Sequence, residues 1–194
     1  MPRVKIKLLK LESVGGNMAD YEYIRENLNK LFNLKKDMYS KFFQQEKFYN
    51  FFGDSNISIA DINKILKLIF KTEENIYVYY DDYFFKYSKK CFFDKKLLKN
   101  FLGNYTNDTM YPFMIFSENF DRFLYMDTVF EDIFLLSIKS EKLKNSIEDF
   151  QNNYDFIWVS NINNLDLQQR FVSGLYITKK KLKKLTSIYS DQGF

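Results

Sequence analysis

Apolar positions at helical spacing dominate the first third of the chain. From Asp20, suited to an N-cap, Ile24, Leu28, Leu31, Met38 and Phe42 recur three, four and seven residues apart. The run reaches a stop at Phe51-Phe52-Gly53. Phe32, Tyr39, Phe43 and Phe48 widen its apolar face beyond a coiled-coil seam, so burial against a sheet or other helices is expected. A second helix of about three turns follows, with Ser58 and Asp61 as a capping box in which Asp replaces Glu, then Ile62, Ile65, Leu66 and Ile69.

At Asn75 the period changes to that of a strand. Ile76 to Tyr80 and Tyr83 to Tyr87 are dense in β-branched and aromatic residues around Asp81-Asp82, which predicts a hairpin, with one bent strand as the alternative. Asp94 is placed to cap a short helix from Lys95 to Leu102, closed by Gly103, with a loop over 104–109. Three further strands, Phe113–Phe116, Arg122–Met126 and Ile133–Ile138, are joined by Ser117-Glu118-Asn119 and Asp127-Thr128, connections short enough for an antiparallel meander. Ser140 caps a helix carrying Leu143, Ile147 and Phe150. Phe156–Val159 reads as a strand, Leu165–Val172 as a short helix ended by Gly174, and Thr178 opens a basic helix with Leu182, Leu185 and Ile188 on one side.

These elements predict a single-domain α+β fold: an N-terminal helical pair, a central, mainly antiparallel sheet of roughly four to six strands, and C-terminal helices. The helical pair is expected on one sheet face and the C-terminal helices along an edge. Residues 1–17 are set apart from a domain at 18–194. Val14-Gly15-Gly16 reads back into codons that permit AGGAGGT just upstream of the Met18 codon, a bacterial ribosome-binding sequence. Met1 to Asn17 is therefore read as translated leader of a low-GC bacterial or phage gene, or else as an edge strand in which Val4, Ile6 and Leu8 alternate with Lys5 and Lys7.

Charge depends on that choice. The net charge of the full chain is +4; the leader holds Arg3, Lys5, Lys7 and Lys10 against Glu12, a net of +3, so a chain starting at Met18 carries +1. Composition is skewed further, with 22 Phe, 15 Tyr and 6 Gly. Lys outnumbers Arg (Arg3, Arg25, Arg122 and Arg170 alone), consistent with AT-rich codons, so the aromatics read first as core. The longest charge-free run, Phe156–Leu165, has ten residues, about half of what a transmembrane helix needs, and a cytoplasmic protein with no membrane partner is expected.

Chemistry is narrowed by what the chain lacks. It has no His and one Cys, Cys91, which removes the His-based triads, the usual zinc sites and disulfide scaffolds. No phosphate-binding or dinucleotide glycine motif occurs, so no cofactor or metal is expected. One enzymatic pattern remains: Asp82, Asp94 and Lys96 loosely match the Asp…(Asp/Glu)-x-Lys set of metal-dependent nucleases. Asp121, Asp127, Glu131 and Asp132 crowd the strand ends without the spacing of a calcium loop. Lys179, Lys180, Lys181, Lys183 and Lys184 form a basic run that could contact nucleic acid.

The surface signal is the set of tyrosines around Asp81-Asp82. Tyr79, Asp81, Asp82 and Tyr83 are the protein-binding candidates, because tyrosine gives large contact area at low rotamer cost and keeps a polar handle. The expected function is non-catalytic binding of another protein, most concretely as a toxin-immunity protein or a phage-type inhibitor of a defence-system component. A nucleic-acid-binding protein or degenerate nuclease is the alternative, and a phage structural or assembly component a further one.

Overall fold

The computed structural model of the protein describes residues 17–18, 21–31, 48–54, 59–80, 83–94, 113–126, 133–152, 158–159, 180 and 183. In chain order the elements are β1 (Asn17–Met18), α1 (Tyr21–Leu31), β2 (Tyr49–Asp54), α2 (Ile59–Ile69), β3 (Asn75–Tyr80), β4 (Tyr83–Ser88), α3 (Lys89–Phe92), β5 (Phe113–Ser117), β6 (Arg122–Met126), β7 (Ile133–Ile138), α4 (Glu141–Asn152) and β8 (Trp158–Val159). All eight strands join one antiparallel sheet in the order β1-β4-β3-β5-β6-β7-β2-β8, confirming the α+β class.

Register explains the two faces. Phe85, Val78, Ile115, Leu124, Leu136 and Phe51 stand opposite one another from β4 across to β2, so the pleat puts them on one side. With Ile62, Ile65, Leu66 and Ile69 of α2 and Ile147 of α4 they form one buried cluster. Shifted by one residue, Lys86, Tyr77, Phe116, Phe123, Ser137 and Asn50 line the opposite face. There α1 buries Ile24, Leu28 and Leu31, and its Tyr23 ring lies 6.3 Å from Phe120, which stacks on Phe116. The sheet is thus covered by α2 and α4 on one side and α1 on the other.

That arrangement corrects two expectations. Phe51-Phe52-Gly53 is not a helix stop but the middle of β2, and α1 as described ends at Leu31. The aromatic run Phe48, Tyr49, Phe51 and Phe52 satisfies helical spacing and strand propensity equally, and pairing with β7 decides for the strand. Because β2 intervenes between them, α1 and α2 lie on opposite faces instead of forming a pair on one. The hairpin, the meander strands, α2 and the Ser140 cap stand where expected, the last with Leu143 N–H donating to Ser140 Oγ at 3.3 Å. The strand expected at Phe156–Val159 is Trp158–Val159, paired with β2. The expected strand at Val4 to Leu8 and the helices over 95–102 and 165–172 lie outside the described residues.

A buried polar pair pins β2 to β7. Ser137 Oγ donates to Asn50 Oδ1 at 2.7 Å, and Asn50 Nδ2 donates to the Phe48 carbonyl at 3.2 Å, with both side chains buried. Ser137→Ala strands the Asn50 acceptor and is expected to cost about 1–3 kcal/mol by urea denaturation, whereas Asn50→Val combined with Ser137→Val recovers most of the loss. Tyr87 offers the reverse test. Its ring is fully buried while its hydroxyl has no hydrogen-bond partner among the described residues, and burial holds the phenol far above its ordinary pKa. Tyr87→Phe is expected to leave stability unchanged or to raise it by up to about 1 kcal/mol.

Candidate functional site

Tyr80 pairs with Tyr83 across β3 and β4, which leaves two residues, Asp81 and Asp82, to join the strands. Both aspartates lie outside the described residues. Tyr79 is half-buried on the face that α1 shares, its ring 5.0 Å from that of Phe84 and its backbone opposite Met114 of β5. Tyr83 opens β4. Tyr79 and Tyr83 are therefore brought to one end of the sheet.

Of the nuclease-like set, only Asp94 lies among the described residues. Asp94 is exposed in the turn that closes α3, its N–H donating to the Cys91 carbonyl at 3.1 Å. The described helix here is α3, capped by Ser88 Oγ on Cys91 N–H at 3.3 Å, and Lys96 lies outside the described residues. Of the basic run, Lys180 and Lys183 are helical and exposed. Lys179, Lys181 and Lys184 lie outside the described residues, as do Asp127, Glu131 and Asp132 of the acidic strand-end group.

Topology nonetheless relates the two acidic stretches, which sequence separates by more than forty positions. β3 runs into Asp81-Asp82 at the end of the sheet where β6 stops at Met126 and β7 starts at Ile133. The chain that joins β6 to β7 there holds Asp127, Glu131 and Asp132 and no Lys or Arg. One sheet end is thus the point of departure for both acidic connections.

The opposite end carries a polar network that the sequence reading passed over. Arg122, at the start of β6, donates through Nη1 to the Ile69 carbonyl at 3.0 Å, to Thr72 Oγ1 at 3.0 Å and to Glu73 Oε1 at 2.8 Å. Its Nε lies 3.4 Å from Asp121 Oδ1. The Arg122 and Glu73 side chains are only 15% and 8% exposed, so the pair is shielded from water. Beside it, Glu118 accepts from Asn75 Nδ2, Tyr77 OH and Lys86 Nζ, each at 3.2 Å. The Lys86 ammonium also sits 5.5 Å from the centre of the Tyr77 ring.

A strained turn builds this network. Phe120 holds φ 54°, the left-handed region where glycine is usual, and its buried ring stacks on Phe116 at 5.7 Å. Ser117 Oγ donates to Asp121 Oδ1 at 2.6 Å and accepts from the Asp121 and Arg122 N–H groups. Ring packing and these bonds hold the turn that presents Glu118 and Asp121.

The electrostatics identify the network as a clasp. The Asn75 hydrogen bond, with Lys86 and Tyr77 behind it, holds the Glu118 carboxyl below its ordinary pKa. Tyr77 and Glu118 raise Lys86, and burial raises Tyr77. Glu118, Lys86 and Tyr77 are thereby each held in the charge state they carry at neutral pH. Glu73 is raised, burial outweighing the attraction of Arg122. Among the described residues no group of three or more Asp, Glu or Cys is placed to hold a metal, and no helix is long and apolar enough to cross a membrane. Compared with known proteins, the chain matches no protein family, no curated protein and no solved structure.

Proposed function

We propose that the protein acts by binding another protein through the β3–β4 end of its sheet, without catalysis of its own, as a toxin-immunity protein or phage-type inhibitor does. The observation that carries this reading is the hairpin register. Tyr80 opposite Tyr83, with Tyr79 half-buried beside them and only Asp81-Asp82 between the strands, concentrates tyrosine and carboxylate at one end of the sheet. Rigid aromatic anchors with a polar rim are the composition of binding hot spots, because their contact area costs little side-chain entropy. Blocking a partner needs only complementary surface, so the tied-up charges of the Arg122 and Glu118 network suit a scaffold role.

Affinity capture of the tagged chain from lysate of its source organism tests this, with bound protein and nucleic acid both quantified. The reading expects a stoichiometric polypeptide that survives a moderate-salt wash, rebinds when both components are pure, and is lost when Asp81, Asp82 and Tyr83 are changed together. Nucleic acid shed by salt, with no protein partner, overturns it in favour of the basic C-terminal run.

A further inference from the structure

Beyond the protein-binding reading, we infer that the lysine cluster where α3 lies against the end of α2 binds the phosphate backbone of a nucleic-acid duplex. Two contacts lay these elements side by side. Lys89 Nζ, at the start of α3, donates to the Lys71 carbonyl at 2.8 Å, and the Lys67 ammonium, on the last turn of α2, sits 6.0 Å from the centre of the Phe93 ring at the end of α3. Lys67, Lys71, Lys89 and Lys90 are thereby gathered around one short helix, and Lys67, Lys71 and Lys90 are exposed. Since β4 runs from the hairpin at Tyr83 to Ser88, where α3 begins, this surface and the protein-binding end stand at opposite ends of that strand.

The cluster is short of counter-charge. Lys67 meets an aromatic ring and Lys89 a carbonyl, while the Lys71 and Lys90 ammonium groups form no hydrogen bond or ion pair among the described residues. Glu73 is committed to Arg122, which leaves Glu74 and Asp94 at the border. The other long helices mix both signs, Glu22 with Arg25 on α1 and Lys144 paired to Glu148 at 3.7 Å on α4. Cations gathered in this way repel one another, and a bound polyanion removes that cost. Residue type sets the class of anion: lysine meets phosphate as a point charge, whereas a carboxylate is matched by the planar fork of arginine, the residue this chain places on Glu73. Phe92 is buried and Phe93 half-buried under the Lys67 ammonium, so neither ring is offered to an unpaired base, and a duplex met through its phosphates is the form that fits.

The test titrates the full chain into a labelled DNA duplex of about 20 base pairs, by fluorescence anisotropy at salt concentrations from about 50 to about 200 mM. The wild type is expected to bind, with duplexes of unrelated sequence agreeing within about twofold. Lys67→Gln, Lys71→Gln and Lys90→Gln together are expected to weaken binding at least about tenfold at the lowest salt, and to make the fall of log affinity with log salt shallower by about three, one for each phosphate contact. Lys67→Arg, Lys71→Arg and Lys90→Arg together keep the charge and stay within about threefold, as does Lys30→Gln on α1, across the sheet. No binding by the wild type, or an unchanged salt slope in the glutamine variant, overturns the inference. An octa-glutamate peptide that binds the wild type as tightly as the duplex also overturns it and puts an acidic protein segment on this surface. If the triple glutamine variant melts early, Lys71→Gln alone decides, with a slope shallower by about one. Failure here leaves the protein-binding reading standing, since that reading rests on the other end of β4.

Discussion

Arg122→Met will destabilise the fold by about 3–5 kcal/mol, because it leaves the Glu73 carboxylate buried without its cation. The same change removes the donor that holds the Ile69 carbonyl at the end of α2 and Thr72 in the turn beyond it, so α2 loses its tie to the sheet. In a chain of this size that loss lowers Tm by roughly 10 °C. The deficit depends on pH, and its sign follows from Glu73. The folded protein already holds this carboxyl above its ordinary pKa, and loss of the guanidinium raises it further. A group of that kind favours folding in acid and opposes it as pH rises through the folded value. The gap between variant and wild type is therefore expected to be widest near neutral pH and to close as the pH approaches about 4. Adding Glu73→Gln to Arg122→Met is expected to recover much of the loss at pH 7, since no charge then remains to be buried. Urea titrations at several pH values measure all of these. A pH-independent deficit that Glu73→Gln does not relieve would sink the account.

Phe116→Ala has an expected cost of about 3–5 kcal/mol for the cavity alone, since the side chain is fully buried in β5. Its ring is also the hub of the second sheet face: it stacks with Tyr77 at 5.4 Å, Phe120 at 5.7 Å and Phe123 at 6.2 Å, and meets Phe84 edge-on at 6.3 Å. Each such pair adds roughly 0.5–1.5 kcal/mol beyond buried area, so this site lies toward the upper end of the range. The loss has a second reach. Phe120 keeps its left-handed backbone by stacking on Phe116, and the turn it belongs to presents Glu118 to Asn75, Tyr77 and Lys86. Phe116→Leu retains apolar volume without the stacking and is expected to lose less stability but a similar share of near-ultraviolet circular dichroism. Equal denaturation midpoints for wild type and Phe116→Ala would refute the hub.

Local pattern sufficed wherever one periodicity stood alone. Ile62, Ile65, Leu66 and Ile69 repeat at helical spacing alone, and the two dense runs around Asp81-Asp82 read as a hairpin or one bent strand, so strand structure there is legible from neighbouring residues and the pairing of β3 with β4 decides for the hairpin. Phe48 to Gly53 fits two periods, and its answer comes from Ser137 and Leu136, far away in the chain. The Arg122 network was illegible for the same reason. Arg122 reads locally as the start of a strand, and nothing in the sequence announces that Glu73, 49 residues earlier, will lie 2.8 Å from it. The signal that existed was rarity: arginine is scarce in this lysine-rich chain, and a planar donor with several hydrogen bonds to make is what a buried carboxylate and two helix-end oxygens call for. The acidic sheet end was half legible, each connection visible alone and their common end visible only in the strand order.

The pairing of β2 with β7 also sets a clock on synthesis. Asn50 meets Ser137 across 87 residues, a span that takes roughly 4 to 17 s to translate at 5–20 residues per second. Throughout that interval β2, with Phe51 and Phe52, has been made while its β7 partner does not yet exist, whereas the β3–β4 hairpin closes on itself within microseconds. The nascent chain therefore carries an unpaired aromatic strand for seconds, and that strand, not the hairpin, is where a holding chaperone would engage it and where crowded expression would divert it into aggregates.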